Sequence, residues 1–426
     1  MIRIAPLGRA LAVAAAASLA LTACGGGEED TAAPAESSAP ASSAPATAQG
    51  DGTLTIGTLL PQTGDLSYLG PPEFAGVDLA VEEINAAGGV LGKPVTKIHT
   101  DSGDTKTDIA SQSVDKLLQQ KADAIIGAAS SGVSFTVIDK IVNAGVIQFS
   151  PANTSPEFTT YADKGLYFRT APSDVLQGRV LGDLMIQDGN ATVAILNRQD
   201  SYGTGLATEV KKAVEGGGGT VTDVIAYDPS APDFAAEVSK IKGGNPDGLA
   251  LIGFDETKKI VPELIKQGIG PDKMKLYFVD GNLADYSKDF PKGTLTGVKG
   301  TQPGAPANDD FKDRLLKVDP NLKDFNYGPE SYDATMLIAL AAEAAGSDAP
   351  SAIAGKLVEV SKGGEKCNDW KSCSELLKAG KDIDYDGVSG PVEFNDAGDP
   401  TEATIGIYEY GEDNVHKNVD FLSGKI

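Results

Sequence analysis

Residues 53–100, TLTIGTLLPQTGDLSYLGPPEFAGVDLAVEEINAAGGVLGKPVTKIHT, decide the fold class. Residues 53–60 form a short β-branched and apolar run, the pattern of a strand. Residues 72–87 switch to helical spacing, with Phe74, Val77, Val81 and Ile84 on one face. Gly88 and Gly89 end that helix where a left-handed cap is wanted, and 95–100 return to strand character. The same rhythm predicts a helix over 107–120, a strand over 122–127, a helix over 132–144 and a strand over 146–150. Strands and helices alternating at this spacing form parallel sheets with right-handed crossovers, so the class is α/β.

A short strand at 166–170 precedes Pro172, and the rhythm then restarts. Helices are expected at 173–187, 202–215, 232–242 and 256–267, with strands at 192–197, 220–226, 248–254 and 275–279. Two consecutive series imply two lobes, each a small doubly wound parallel sheet, whose facing strand ends line a cleft. The 426 residues, 41% of them hydrophobic, also exceed what one core usually spans. Beyond 300, a helix at 332–345 and β-like pieces at 388–394 and 403–410 are expected, and the family resemblance set out below implies that they re-enter the lobes. The predicted organisation is lobe I at 53–171 with about 301–387, and lobe II at 172–300 with about 388–426.

A formal net charge of −24 argues against nucleic acid, since no basic cluster exists to displace counterions. It equally opposes adhesion to an anionic membrane surface. Arg3 and Arg9 precede an apolar run of 13 residues, Leu11 to Ala23, which suits a signal-peptide core and is too short to span a bilayer. The run ends in Leu21-Thr22-Ala23-Cys24, which resembles the lipobox of bacterial lipoproteins. That resemblance implies a signal peptide at 1–23 and lipidation of Cys24. Residues 25–52 are small, polar or acidic, the composition of a disordered tether. With no later apolar span, the lipid is the expected sole membrane contact, on the outer face of the cytoplasmic membrane. Cys367 and Cys373 flank a short polar loop in a chain that reaches an oxidising compartment, so a local disulfide is expected. His99 and His416 each stand alone, which leaves no metal site in view.

The chain also resembles the branched-chain amino acid binding family of ABC-importer receptors. The resemblance rests on EFAGVDLAVEEINAAGGVLGKPV at 73–95, IIGAASSGVSFTV at 125–137 and VIQFSPANTSPEFT at 146–159. FRTAPSD at 168–174, SYGTGLA at 201–207, YDAT at 332–335 and GVSGPVEFNDAGDP at 387–400 follow in order. It implies the type I periplasmic binding protein fold, two α/β lobes joined by a multi-crossing hinge that close on a ligand. It also implies a monomer that delivers a small molecule, commonly an amino acid, to a membrane permease. By position, the clamp for a zwitterion falls on Ser131, Ala152 and Thr154, with Tyr202, Phe254 and Asp280 opposite. Phe254 stands where the best-known amino-acid receptors of the family carry a tyrosine, and Leu69 where some carry another aromatic; both departures suit an apolar side-chain pocket and leave the identity of the amino acid open.

The residue chemistry agrees in part. Ser131 sits where a strand passes into a helix, so it can cap that helix or help hold an anion at the positive end of the dipole. Ala152 and Thr154 offer a carbonyl and a hydroxyl, or simply form a turn. Asp280 is a natural ammonium partner, or a turn residue before Gly281. Tyr202 and Phe254 can wall a cleft or pack between lobes. Gly203-Thr-Gly205 echoes a dinucleotide fingerprint without its third glycine, and no cofactor is expected. An exported hydrolase is disfavoured by the absence of GxSxG and HExxH; a sensor role, or an amide, urea or aromatic-acid ligand, stays open.

Overall fold

The computed structural model describes residues 48–305 and 307–426; the expected signal segment and Cys24 lie outside them. The first half runs β1 (Thr55–Leu60), α1 (Gly70–Ala86), β2 (Thr96–Asp101), α2 (Ile109–Gln119), β3 (Ala124–Gly127), α3 (Ser131–Asn143), β4 (Ile147–Ser150) and β5 (Tyr167–Arg169). Next come α4 (Asp174–Gln187), β6 (Thr192–Arg198), α5 (Ser201–Gly216), β7 (Thr220–Tyr227), α6 (Ala235–Gly244), β8 (Gly248–Ile252), α7 (Thr257–Lys266) and β9 (Lys275–Phe278). The remainder is β10 (Lys299–Pro303), α8 (Asp309–Val318), α9 (Gly328–Ala345), α10 (Pro350–Val360), β11 (Glu365–Cys367) and α11 (Trp370–Lys378). It ends with β12 (Ile383–Gly387), β13 (Gly390–Pro391), β14 (Glu402–Tyr410) and β15 (His416–Lys425).

The strands build a five-stranded sheet in the order β2-β1-β3-β4-β5, parallel throughout. A seven-stranded sheet has the order β15-β14-β10-β9-β8-β6-β7, and β11-β12-β13 form a small third one. Because side chains alternate across a strand, each large sheet feeds two cores. Val193 and Ile195 of β6 join the core with α4 and α5, while Ala194 and Leu196 join that with α6 and α7. Helix α9 is buried along most of its length against the five-stranded sheet. Among the described residues no helix is long and apolar enough to cross a membrane.

The helix expected at 332–345 begins earlier, at Gly328, and three other elements differ for a local reason. The 388–394 strand shrinks to β13, because the N–H groups of Val388 and Ser389 donate to the Asp333 carboxylate at 3.0 and 2.8 Å. Helix α6 starts at Ala235, not 232, since the Asp233 side chain accepts the Ala235 N–H at 3.2 Å. Strand β8 stops at Ile252, and Phe254, expected at its end, donates its N–H to Glu256 Oε2 at 2.8 Å. The seven-stranded sheet is mixed: β14 runs antiparallel to both β10 and β15.

Chain segments far apart in sequence meet on Arg169, which is 0% exposed. Its Nε donates to Asp399 Oδ1 at 2.6 Å, and Nη1 donates to the carbonyls of Asn153 (3.2 Å) and Ser155 (2.8 Å). The Arg169 N–H donates to the Gly398 carbonyl at 3.1 Å. Gly398 has φ 76°, and a Cβ there would stand 2.6 Å from the Tyr167 carbonyl oxygen, so only glycine fits. Cys367 and Cys373 form a disulfide, with Cα atoms 5.3 Å apart. Replacing Arg169 with leucine leaves Asp399 charged and unpaired in the interior. We expect a loss of about 3–5 kcal/mol in urea unfolding, and an unchanged midpoint would contradict this account.

Candidate functional site

The carboxyl ends of the parallel strands carry loops that meet between the two sheets. After β3, the Ser130 hydroxyl caps α3 by accepting the Val133 N–H at 3.5 Å. Ser131 is therefore free of that duty, and its hydroxyl accepts the Ser155 N–H at 3.3 Å. After β4, Ser150 Oγ accepts from the N–H groups of Ala152 (3.2 Å) and Asn153 (2.9 Å) and donates to the Ala128 carbonyl at 2.7 Å. Asn153 Nδ2 donates to the carbonyls of Ala128 and Ala129, at 3.0 and 2.8 Å. The loop bearing Ala152 and Thr154 is thereby bound to the start of α3 in one buried polar network.

Opposite, Asp280 follows β9 in a single 3₁₀ turn, 5% exposed. Its Oδ1 accepts from Tyr202 Oη at 2.6 Å and Gln177 Nε2 at 3.0 Å, and its Oδ2 accepts from Tyr327 Oη at 2.7 Å. Three donors on about four acceptor positions leave one place, on Oδ2, for a ligand. Phe254 lies between the Tyr202 ring, 5.2 Å away and stacked, and the Arg198 guanidinium, 3.6 Å from its centroid. Arg198 is itself held by Asp200 at 2.6 Å and Glu256 at 2.5 Å.

These groups enclose a cavity of about 10 Å³, lined by Ser131, Ala152, Tyr202, Phe254, Asp280 and Tyr327 together with Leu66 and Leu69. That is the room of about one water, so admitting a ligand requires the two sides to separate. The bonds that join them include Tyr327 Oη to Asp280 Oδ2 at 2.7 Å, Tyr68 Oη to the Asp280 carbonyl at 3.0 Å, Ser155 Oγ to the Ser201 carbonyl at 3.3 Å, and Arg198 to Asp65 at 4.0 Å.

Electrostatics divide labour between two carboxyls. Burial pushes Asp280 above the ordinary carboxylate range, opposed by the hydrogen bonds from Tyr202, Tyr327 and Gln177. Burial, with the charge of Asp280 second, pushes Asp174 well above that range. Neither oxygen of Asp174 has a hydrogen-bond partner among the described residues. Asp280, with three donors, is the ionised member, and Asp174 is the neutral one. Burial also raises the phenols of Tyr202 and Tyr327, which stay protonated donors.

Five of the six residues named from sequence thus line one cavity. Thr154 does not line it; its hydroxyl is buried without a partner and its carbonyl accepts the Asp174 N–H at 2.8 Å. Sequence reasoning missed Tyr327, Gln177 and Asp174. Tyr327 carries the one available signal, an aromatic before Gly328-Pro329; it is forced to φ 59°, a conformation rare for bulky residues and frequent at functional sites. Gln177 and Asp174 lie on α4 with nothing in their spacing to mark them.

A sequence profile of the periplasmic binding protein family matches residues 53–414, and the chain belongs to that family. A leucine-, isoleucine-, valine-, threonine- and alanine-binding protein of Pseudomonas aeruginosa is 26% identical over 381 residues, 86% of this chain and 92% of that protein. A leucine-binding protein from Thermotoga maritima superposes with a TM-score of 0.72 at 20% identity, covering 87% of this chain and 99% of the other. A solute-binding protein of an ABC transporter from R. palustris, in complex with 4-hydroxybenzoate, gives 0.72 at 18% identity, covering 88% and 98%.

Because folded Asp174 holds a proton that the unfolded chain releases above about pH 4, it lowers stability progressively as pH rises beyond that value. Asp174→Asn removes this slope. Its stability relative to the parent protein is expected to grow by about 1 kcal/mol per pH unit between pH 5 and 7. A pH-independent difference in urea unfolding would show that Asp174 is already ionised.

Proposed function

We propose that the protein captures a free amino acid with an aliphatic side chain outside the cytoplasm and presents it to an ABC permease. The observation that carries this reading is the pairing around one cavity of an ionised carboxylate with an unused acceptor position, Asp280, and the positive end of a helix, at Ser131. The first suits an ammonium and the second a carboxylate, so a zwitterion satisfies both. Leu66, Leu69, Phe254 and the Tyr202 ring give the side chain an apolar wall. Thr154 lends its unpartnered hydroxyl to the carboxylate once the ligand has opened the cleft.

The five-stranded sheet with its helices serves as one lobe and the seven-stranded sheet as the other, the crossings after Arg169, Pro303 and Asp399 forming the hinge. Cys24, lipidated after removal of residues 1–23, holds the protein at the membrane; of the expected tether 25–52, Asp51 and Gly52 are bonded to Asp348 and so belong to the folded body. The likeness to the P. aeruginosa amino-acid receptor supports the ligand class. An aromatic acid, as in the R. palustris structure, is the second reading, favoured by the Tyr202–Phe254 stack. Asp280 opposes it: a benzoate brings a second anion into the cavity and no ammonium to meet the first.

The test is a thermal-shift panel of amino acids, aromatic acids, amides and urea, on protein unfolded and refolded to remove bound ligand. A ligand at about 1,000 times its Kd adds about 4 kcal/mol of stability, or roughly 8 °C at the 2 °C per kcal/mol typical of this size. Aliphatic amino acids should give that shift, and Asp280→Ala should abolish it at the same concentration while leaving the protein folded. A shift with benzoates alone would overturn the amino-acid reading.

A further inference from the structure

Behind the cleft, on the other side of Tyr327, lies a larger cavity of about 320 Å³. Its walls are the segments that cross between the two sheets. Gln302 near the end of β10, Glu330 in the first turn of α9 and His416 at the start of β15 face it. Gln302 is 3% exposed, and both its amide atoms lack a hydrogen-bond partner among the described residues; so does Nδ1 of His416. Glu330 is also 3% exposed, and no described side chain pairs with its carboxyl. Gly304, at φ 94°, makes room for that carboxyl, since a Cβ there would collide with it. Interiors rarely leave so many polar groups unsatisfied unless a bound solute completes them.

Asp285 and Asp324 on the rim are matched in number by Lys312 and Lys323, so the ionised Glu330 carboxyl is what makes the cavity negative. Lys312 is already engaged by Asp309 at 3.7 Å and by the Phe325 ring at 6.0 Å. Pro303, Pro329, Tyr327 and Tyr408 supply apolar and aromatic surface, which suits the body of a cation as well as its charge. We propose that this cavity is a second binding site, for a small organic cation bearing several N–H donors. Its donors meet the Glu330 carboxylate and Gln302 Oε1, and its alkyl part lies against Tyr327 and Tyr408. Tyr327 also holds Asp280, so the two cavities share a wall while drawing on different carboxyls.

Burial pushes Glu330 up to about 8, with Asp333 on the same helix adding to the rise. Glu73 of α1, itself buried and without partners, faces Glu330 from behind. Asp285, Asp324, Lys312, Lys323, Tyr408 and His416 face the same space from the other elements. A cation selects the ionised carboxylate, so binding releases a proton near neutral pH and tightens as pH rises towards 8.

Calorimetric titration of the purified protein with methylguanidinium chloride tests the site. We expect saturable one-to-one binding that tightens by up to about tenfold from pH 7 to pH 8, with a buffer-dependent heat marking the released proton. Glu330→Gln should weaken binding by tenfold or more; Gln302→Leu, which keeps the charge, should weaken it several-fold and carries the test if the first variant does not fold. Asp280→Asn, which disables the cleft, should bind methylguanidinium as before. No saturable binding at pH 8, equal affinity in Glu330→Gln, or loss in Asp280→Asn would each overturn the second site, and none of these bears on amino-acid capture in the cleft.

Discussion

A guanidinium with no exposed surface governs one whole side of the cleft. Arg169 closes β5, and its donors go to Asp399, to the carbonyls of Asn153 and Ser155, and to Thr159. Asp399 in turn accepts from Thr159 Oγ1 at 2.6 Å. Taking both charges out of water costs several kcal/mol per ion, and a single contact would not recover it. The extra hydrogen bonds do, because nearly every donor and acceptor of the pair is used. What they hold is the loop carrying Ala152 and Thr154 and the segment leading into β14. One buried pair therefore fixes both the floor of the cleft and a strand of the sheet across it.

The opposite side relies on a different device. Asp280 is held in place by three donors drawn from α4, α5 and the start of α9. A lone buried carboxylate would protonate and lose its use as an ammonium partner. Donors without charge keep it ionised while leaving the local field negative, which a cation would have cancelled. Asp174 then takes the neutral role, since two adjacent anions away from water repel strongly.

Sequence periodicity made the α/β alternation legible because the central strands, such as β3, β4, β6 and β8, are buried on both faces and most helices on one. It also brought Ser131, Ala152, Tyr202, Phe254 and Asp280 to strand ends, where the cavity now lies. The C-terminal third was harder. β15, HKNVDFLSGK, is an edge strand with Val419 55% and Phe421 58% exposed, so no buried face imposes alternation. β13 was masked by a tertiary competitor, the Asp333 carboxylate that takes the Val388 and Ser389 N–H groups. Tyr327 and Gln177 reach Asp280 only through the fold, from 47 and 103 residues away, and no local pattern encodes such a meeting.

The two sides are held within themselves more firmly than to each other. Around Arg169 on one side and Asp280 on the other, buried hydrogen bonds tie several chain segments together. Between the sides, the polar contacts include two phenols on Asp280, a serine hydroxyl and one ion pair at 4.0 Å. Neutral hydrogen bonds of that kind each contribute about 1 kcal/mol. Under the amino-acid reading proposed above, a ligand that bridges Ser131 and Asp280 adds charge-assisted bonds to both sides at once, and the balance between open and closed forms then shifts with what fills the cleft.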